Sequence, residues 1–107
     1  MNNEAIELGK KLKPLYGQVI LVGDEADKDR RSKGGIILSA QEAPTHYVGR
    51  VVAVGDGRLN TNGNHVKPSV SVGDLVRYRG SMTDDFTYDG HDFIALDELE
   101  ILCILPE

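Results

Sequence analysis

The side chains able to do chemistry are few and scattered along the 107 residues. Three histidines, His46, His65 and His91, each fall in or beside a turn-forming stretch. No pair of them has metal-binding spacing such as His-x-x-x-His, and the lone cysteine gives none a partner. That cysteine, Cys103, sits in Ile101-Leu102-Cys103-Ile104-Leu105, where apolar neighbours favour an inert thiol over a nucleophile. The adjacent carboxylates Asp84 and Asp85 would face opposite ways in a strand and be solvated in a loop, so they make a poor acid–base pair. Gly55-Asp56-Gly57 begins like a dinucleotide fingerprint, but no third glycine or following helix completes it. No Gly-x-x-x-x-Gly-Lys-Ser/Thr phosphate loop is present. The expectation is a protein that is not an enzyme, with no catalytic residues, no metal and no cofactor.

Composition narrows the class further. The length suits one domain, and a domain this small gains from assembly with copies of itself. Net charge is −5, which disfavours a nucleic-acid partner, because phosphate backbones need clustered Lys and Arg. The one basic run, Lys28-Asp29-Arg30-Arg31-Ser32-Lys33, follows Asp24, Glu25 and Asp27 and reads as a solvated loop. No apolar stretch approaches the ~18 residues of a membrane span, so no membrane partner is expected. The opening Met1-Asn2-Asn3-Glu4 has neither the basic start nor the apolar core of a secretory signal. With a single cysteine, a reducing cytoplasmic setting is the default.

The elements read mostly as strands. Residues 1–13 suggest a short helical extension through Ala5, Ile6, Leu8 and Leu12, weakened by Gly9 and ended by Pro14. Leu15 to Val22 reads as a strand, as do Tyr47 to Val54, Leu75 to Arg79 and Ile101 to Leu105. Asn62-Gly63 and Asp89-Gly90 carry the chemistry of tight hairpin turns, since both residue types tolerate positive φ. Asp97 to Glu100 reads as one helical turn. About seven short strands divided by turns imply a barrel or a sandwich.

One segment does not fit this pattern. Gly23 to Thr45 shows no sustained period of either kind, and a structureless stretch of ~20 residues inside a compact domain usually means function or disorder. Its one apolar triplet is Ile36-Ile37-Leu38, preceded by Gly34-Gly35. Each such side chain contributes about 1.5–3 kcal/mol when fully buried, and as much is forgone when it stays exposed. The triplet therefore either returns to this chain's own core as a strand or awaits a partner. From the residues alone both readings stand, as does a stand-alone small-barrel binding module with an unrelated ligand.

Five motifs in order then resemble the GroES family, the ten-kilodalton co-chaperonins. Lys13-Pro14-Leu15-Tyr16-Gly17-Gln18-Val19-Ile20 is similar to the family's opening, and Lys33-Gly34-Gly35-Ile36-Ile37-Leu38 to its mobile-loop motif. Gly49-Arg50-Val51-Val52-Ala53-Val54-Gly55-Asp56-Gly57-Arg58 follows. Val72-Gly73-Asp74-Leu75-Val76 and Glu98-Leu99-Glu100-Ile101-Leu102-Cys103-Ile104-Leu105 complete the series. The resemblance spans Lys13 to Glu107.

It implies an all-β, irregular barrel at 14–107 behind an N-terminal extension at 1–13. A mobile loop would lie at about 23–47 and a roof hairpin at about 55–70. It also implies a homo-oligomer, a heptameric lid. Gly34, Gly35, Ile36, Ile37 and Leu38 would bind a GroEL-type chaperonin, which alone binds and hydrolyses ATP, and client proteins would fold in the closed chamber. Leu15, Val19 and Ile20 of the first strand and Ile101 and Ile104 of the last would lie at the subunit interface. Asn62 and Gly63 would form the roof. The chain differs from the family pattern in its extension, in a roof tip without acidic residues, and in Gly80-Ser81-Met82-Thr83-Asp84-Asp85.

Overall fold

A computed structural model describes residues 3–23 and 46–106 of the chain. The chaperonin-binding motif expected at 34–38 lies outside the described residues. The remainder is almost all β. Strands β1 (Gln18–Gly23), β2 (His46–Val54), β5 (Leu75–Arg79), β6 (Asp84–Tyr88), β7 (His91–Asp97) and β8 (Ile101–Ile104) form one antiparallel sheet in the order β6-β7-β1-β2-β5-β8. A separate two-stranded ribbon joins β3 (Arg58–Leu59) to β4 (His65–Val66). Register shifts at Ile20/Leu21 and at Arg77/Tyr78 make the sheet irregular.

β1 is the spine, paired with β2 on one side and β7 on the other. Its run Val-Ile-Leu-Val lacks polar alternation because both faces are covered, the pattern of a central strand. On one face Val19 and Leu21 join Val51, Val70, Val76, Tyr78, Ile94 and Leu96 in the main core. On the other, Ile20 and Val22 meet Val52, Ala53 and Phe93.

Helix α1 (Asn3–Gly9) caps this second cluster, burying Ala5 and packing Ile6 and Leu8 against it. The extension therefore docks on the sheet. Gly9, which weakens the helix as a sequence, is what lets it sit close. A Cβ there would lie 2.5 Å from Val52 Cγ2 and 3.0 Å from Phe93 Cε1. Glu4 Oε2 lies 3.8 Å from His91 Nε2 on β7. Gly9→Ala is expected to destabilise the fold by about 1–3 kcal/mol through overpacking, even though alanine is the better helix former. Thermal unfolding at fixed concentration checks the sign. A raised midpoint would mean that the helix does not rest on Val52.

Candidate functional site

Three places matter: the strand ends around residues 24–45, the outer edge of the sheet, and the ribbon β3–β4. The first is built by the β1–β2 pair, whose register runs from Val19↔Val54 to Gly23↔Gly49. The chain thus leaves the sheet at Gly23 and re-enters it along β2. Gly49 is in a tight place, since a Cβ would lie 3.1 Å from the Val22 carbonyl oxygen and 3.3 Å from the Tyr78 ring.

Strand β8 forms one edge of the sheet, hydrogen-bonded to β5 alone among the described strands. Ile101 is half-buried and packs against the main core, while Ile104 is 49% exposed and Leu102 is exposed beside it. An open groove of about 600 Å³ runs along this edge, lined by Arg58, Val66, Val70, Ile101, Leu102 and Ile104 among others. Exposed apolar side chains on an edge strand are a pairing liability unless something covers them. Cys103 lies exposed on the same strand opposite Arg77, not enclosed by its apolar neighbours.

Leu15 is 68% exposed, and Tyr16 next to it is exposed too. Tyr16 holds φ at 54°, a left-handed conformation that costs a non-glycine residue about 1–2 kcal/mol. Backbone bonds around it hold it there. Gly57 N–H donates to the Tyr16 carbonyl (2.8 Å), Gly55 N–H to that of Gln18 (3.0 Å), and Glu98 N–H to that of Gly17 (2.9 Å). The Tyr16 ring stacks against His65 at 6.3 Å between centroids.

Two of the expected interface residues are placed elsewhere. Val19 is 0% exposed and Ile20 7%, and both edges of β1 are occupied within the subunit. Both side chains lie inside the subunit's own sheet. The apolar run that marks a strand does not tell an edge from a centre.

The ribbon is closed by a compact tip. Asn60 Oδ1 accepts from Asn62 N–H (2.9 Å) and Asn64 N–H (3.0 Å), Gly63 N–H donates to Asn60 O (3.0 Å), and Gly63 takes φ 81°. Asn62 and Gly63 thus form the tip itself. At the base, Arg58 donates from Nε to Glu98 Oε1 and from Nη2 to Asp97 Oδ1, both at 3.0 Å. Asp97 Oδ1 also accepts from Leu99 N–H (2.9 Å), starting the 3-10 turn Glu98–Glu100. One guanidinium so joins the ribbon to the corner that leads into β8. Sequence reading missed this link because its partners lie about 40 positions apart.

Nothing in the described residues gathers groups for catalysis. Asp84 and Asp85 are exposed on β6, opposite Ala95 and Ile94. Among the described residues no cluster of three or more His, Cys, Asp or Glu could hold a metal, and no helix is long and apolar enough to cross a membrane.

Comparison with known proteins gives the family. The family model for the chaperonin 10 Kd subunit matches residues 11–105. The co-chaperonin GroES of Stutzerimonas stutzeri is 38% identical over 98 residues, covering 89% of this chain and 97% of that one. GroES of Geobacillus thermodenitrificans is 35% identical over 96 residues, covering 88% and 98%. GroES of Lacticaseibacillus zeae is 34% identical over 93 residues, covering 87% and 98%. Helix α1 precedes the matched region. The match runs through every strand of the sheet, and so the chain belongs to the chaperonin 10 Kd subunit family, the non-enzymatic GroES-type co-chaperonins.

Proposed function

We propose that the chain is one subunit of a heptameric lid that closes the chamber of a GroEL-type chaperonin in the cytoplasm. Gly34, Gly35, Ile36, Ile37 and Leu38 bind the chaperonin's apical domains when the chaperonin holds nucleotide. The lid needs no cofactor, because its partner binds and hydrolyses the ATP, and unfolded client proteins fold in the closed space. The observation that carries this reading is the family match over residues 11–105, which spans the Gly-Gly-Ile-x-Leu motif. Physical argument supports it. Ordering a segment on binding costs about 2–5 kcal/mol, so a single segment binds weakly. Several copies on one ring recover the affinity through effective concentration, and each weak contact can still release. The test is refolding of a denatured client by a bacterial chaperonin with ATP. Recovery should rise when this protein is added, and unchanged recovery would contradict the reading.

The ring is closed by the exposed edge of one subunit meeting a neighbour. Leu15, Ile101 and Ile104 are its apolar residues, and the ribbon tip at Asn62-Gly63 forms the roof. Ile104→Asp is expected to convert the ring to monomers on sizing, with the β-sheet circular dichroism retained. A half-exposed position costs the subunit itself little, whereas a buried unpaired carboxylate is costly at an interface. A variant that still elutes as the ring would take Ile104 out of the interface.

A further inference from the structure

The two ends of the segment 24–45 are held differently. At the first, Gly23 has room: a Cβ there would meet only Ile94 Cδ1, at an ordinary 3.5 Å. At the second, Tyr47 pairs with Tyr78 across β2 and β5, and their rings lie 6.0 Å apart, tilted by 35°. The Tyr47 ring also lies directly on Gly80. A Cβ on Gly80 would fall 2.0 Å from Tyr47 Cε2 and 2.5 Å from Cδ2, distances no real Cβ adopts. Gly80 is thus needed for its missing side chain, since no positive φ is recorded for it. Tyr47 also packs against the main core. An aromatic ring with two rotatable bonds, wedged between a glycine backbone and a second ring, has little freedom left.

We infer that the Tyr47 ring seated on Gly80 is a positioning clamp, which sets the direction in which the chain enters the sheet after residue 45 and so where the chaperonin-binding motif is presented. The inference rests on the lid reading above. The clamp acts through geometry rather than contact with the chaperonin. An anchored root removes conformations that cannot reach the partner, which lowers the ordering cost of binding. A loosened root restores those conformations and weakens every copy on the ring together. The clamp also joins that root to the 3-10 turn Gly80–Met82.

The test is a double-variant cycle on assembled rings, with affinity for a nucleotide-bound bacterial chaperonin measured by surface binding. Tyr47→Ala and Gly80→Ala should each weaken binding by about tenfold, a factor compounded over the copies on a ring. The double variant should be no weaker than Tyr47→Ala alone, because the Cβ on Gly80 then meets no ring. Tyr47→Phe should keep the affinity, since it keeps the ring that sits on Gly80. A purely structural role would lower the melting temperature and leave the affinity of intact rings unchanged, and that result overturns the clamp. Additive losses in the double variant overturn it as well. If the unsubstituted ring fails to bind, the lid reading falls and the clamp with it. If the unsubstituted ring binds and the variants bind equally well, the clamp alone falls.

Discussion

Ile37→Asp should leave the ring intact on sizing and reduce chaperonin binding below detection. Ile37 is the middle of the only apolar triplet between Gly23 and Thr45. Burying an isoleucine against a partner contributes about 1.5–3 kcal/mol, and the variant forfeits that. An aspartate in the same apolar site adds a desolvation cost that no pairing offsets, so the sign of the contact reverses. The change is present in every subunit, and avidity multiplies it. A loss that only weakens one segment removes the binding of a ring that depends on many weak contacts. The subunit fold should not change, and thermal unfolding of the variant should match that of the unsubstituted protein. Normal binding by Ile37→Asp would remove the triplet from the mechanism, whatever the ring does.

The second large effect is on stability. Gly57→Ala should lower the melting temperature by about 10 °C or more. Two independent obstacles meet at this residue. Its φ is 110°, outside what an L side chain adopts without strain, and a Cβ would lie 1.8 Å from the Val66 carbonyl oxygen and 2.5 Å from its carbon. Because that neighbour is backbone, relief requires moving the ribbon off the sheet. The bond from Gly57 N–H to Tyr16 O and the bond between Gly57 O and His65 Nδ1 (3.0 Å) would go with it. Strain and steric displacement together are expected to cost about 2–4 kcal/mol, and in a domain near this size each kcal/mol moves the midpoint by about 4–8 °C. Gly73 is the control. Its φ is 100° but a Cβ there meets nothing within 4 Å, so Gly73→Ala carries the backbone strain alone. Equal midpoints for the two variants would mean that the contact with Val66 is not what requires glycine. Protein concentration must be held constant, because assembly contributes to the apparent stability.

Local chemistry was readable from the residues, whereas placement was not. Asp89-Gly90 adopts the positive φ pair of 51° and 79° that its residue types require of a hairpin. Asp97 caps a short 3-10 turn where one helical turn was expected. Strands β1 and β2 fall where β-branched runs lie, and two strand ends differ from the expectation. Tyr16-Gly17 is a turn held by hydrogen bonds from Gly57 to Tyr16 and from Glu98 to Gly17, so β1 starts only at Gln18. After Pro68 the chain leaves the ribbon and buries Val70 in the main core, so only His65–Val66 pairs. The features that escaped are long-range. β1 is central because it pairs with β2 on one side and β7 on the other, and its partners on β7 lie more than seventy residues away along the chain. The clamp of Tyr47 on Gly80, the Arg58 link to Asp97 and Glu98, and the seat of Gly9 on Val52 all join residues whose nearness the topology creates. Gly9 was read only as a residue that weakens a helix. At Gly9 and Gly80 the glycine is a contact surface, and nothing within a few residues of either signals that.

The family is established by similarity, and the act of capping is the claim most in need of a direct result. The measurement is a pull-down of a bacterial chaperonin on the immobilised protein, carried out without nucleotide, with ADP and with ATP. The account predicts retention of the chaperonin with ADP or ATP, loss of it when nucleotide is removed, and none on the Ile37→Asp variant. No retention under any condition, by protein that sizes as a ring, would contradict it.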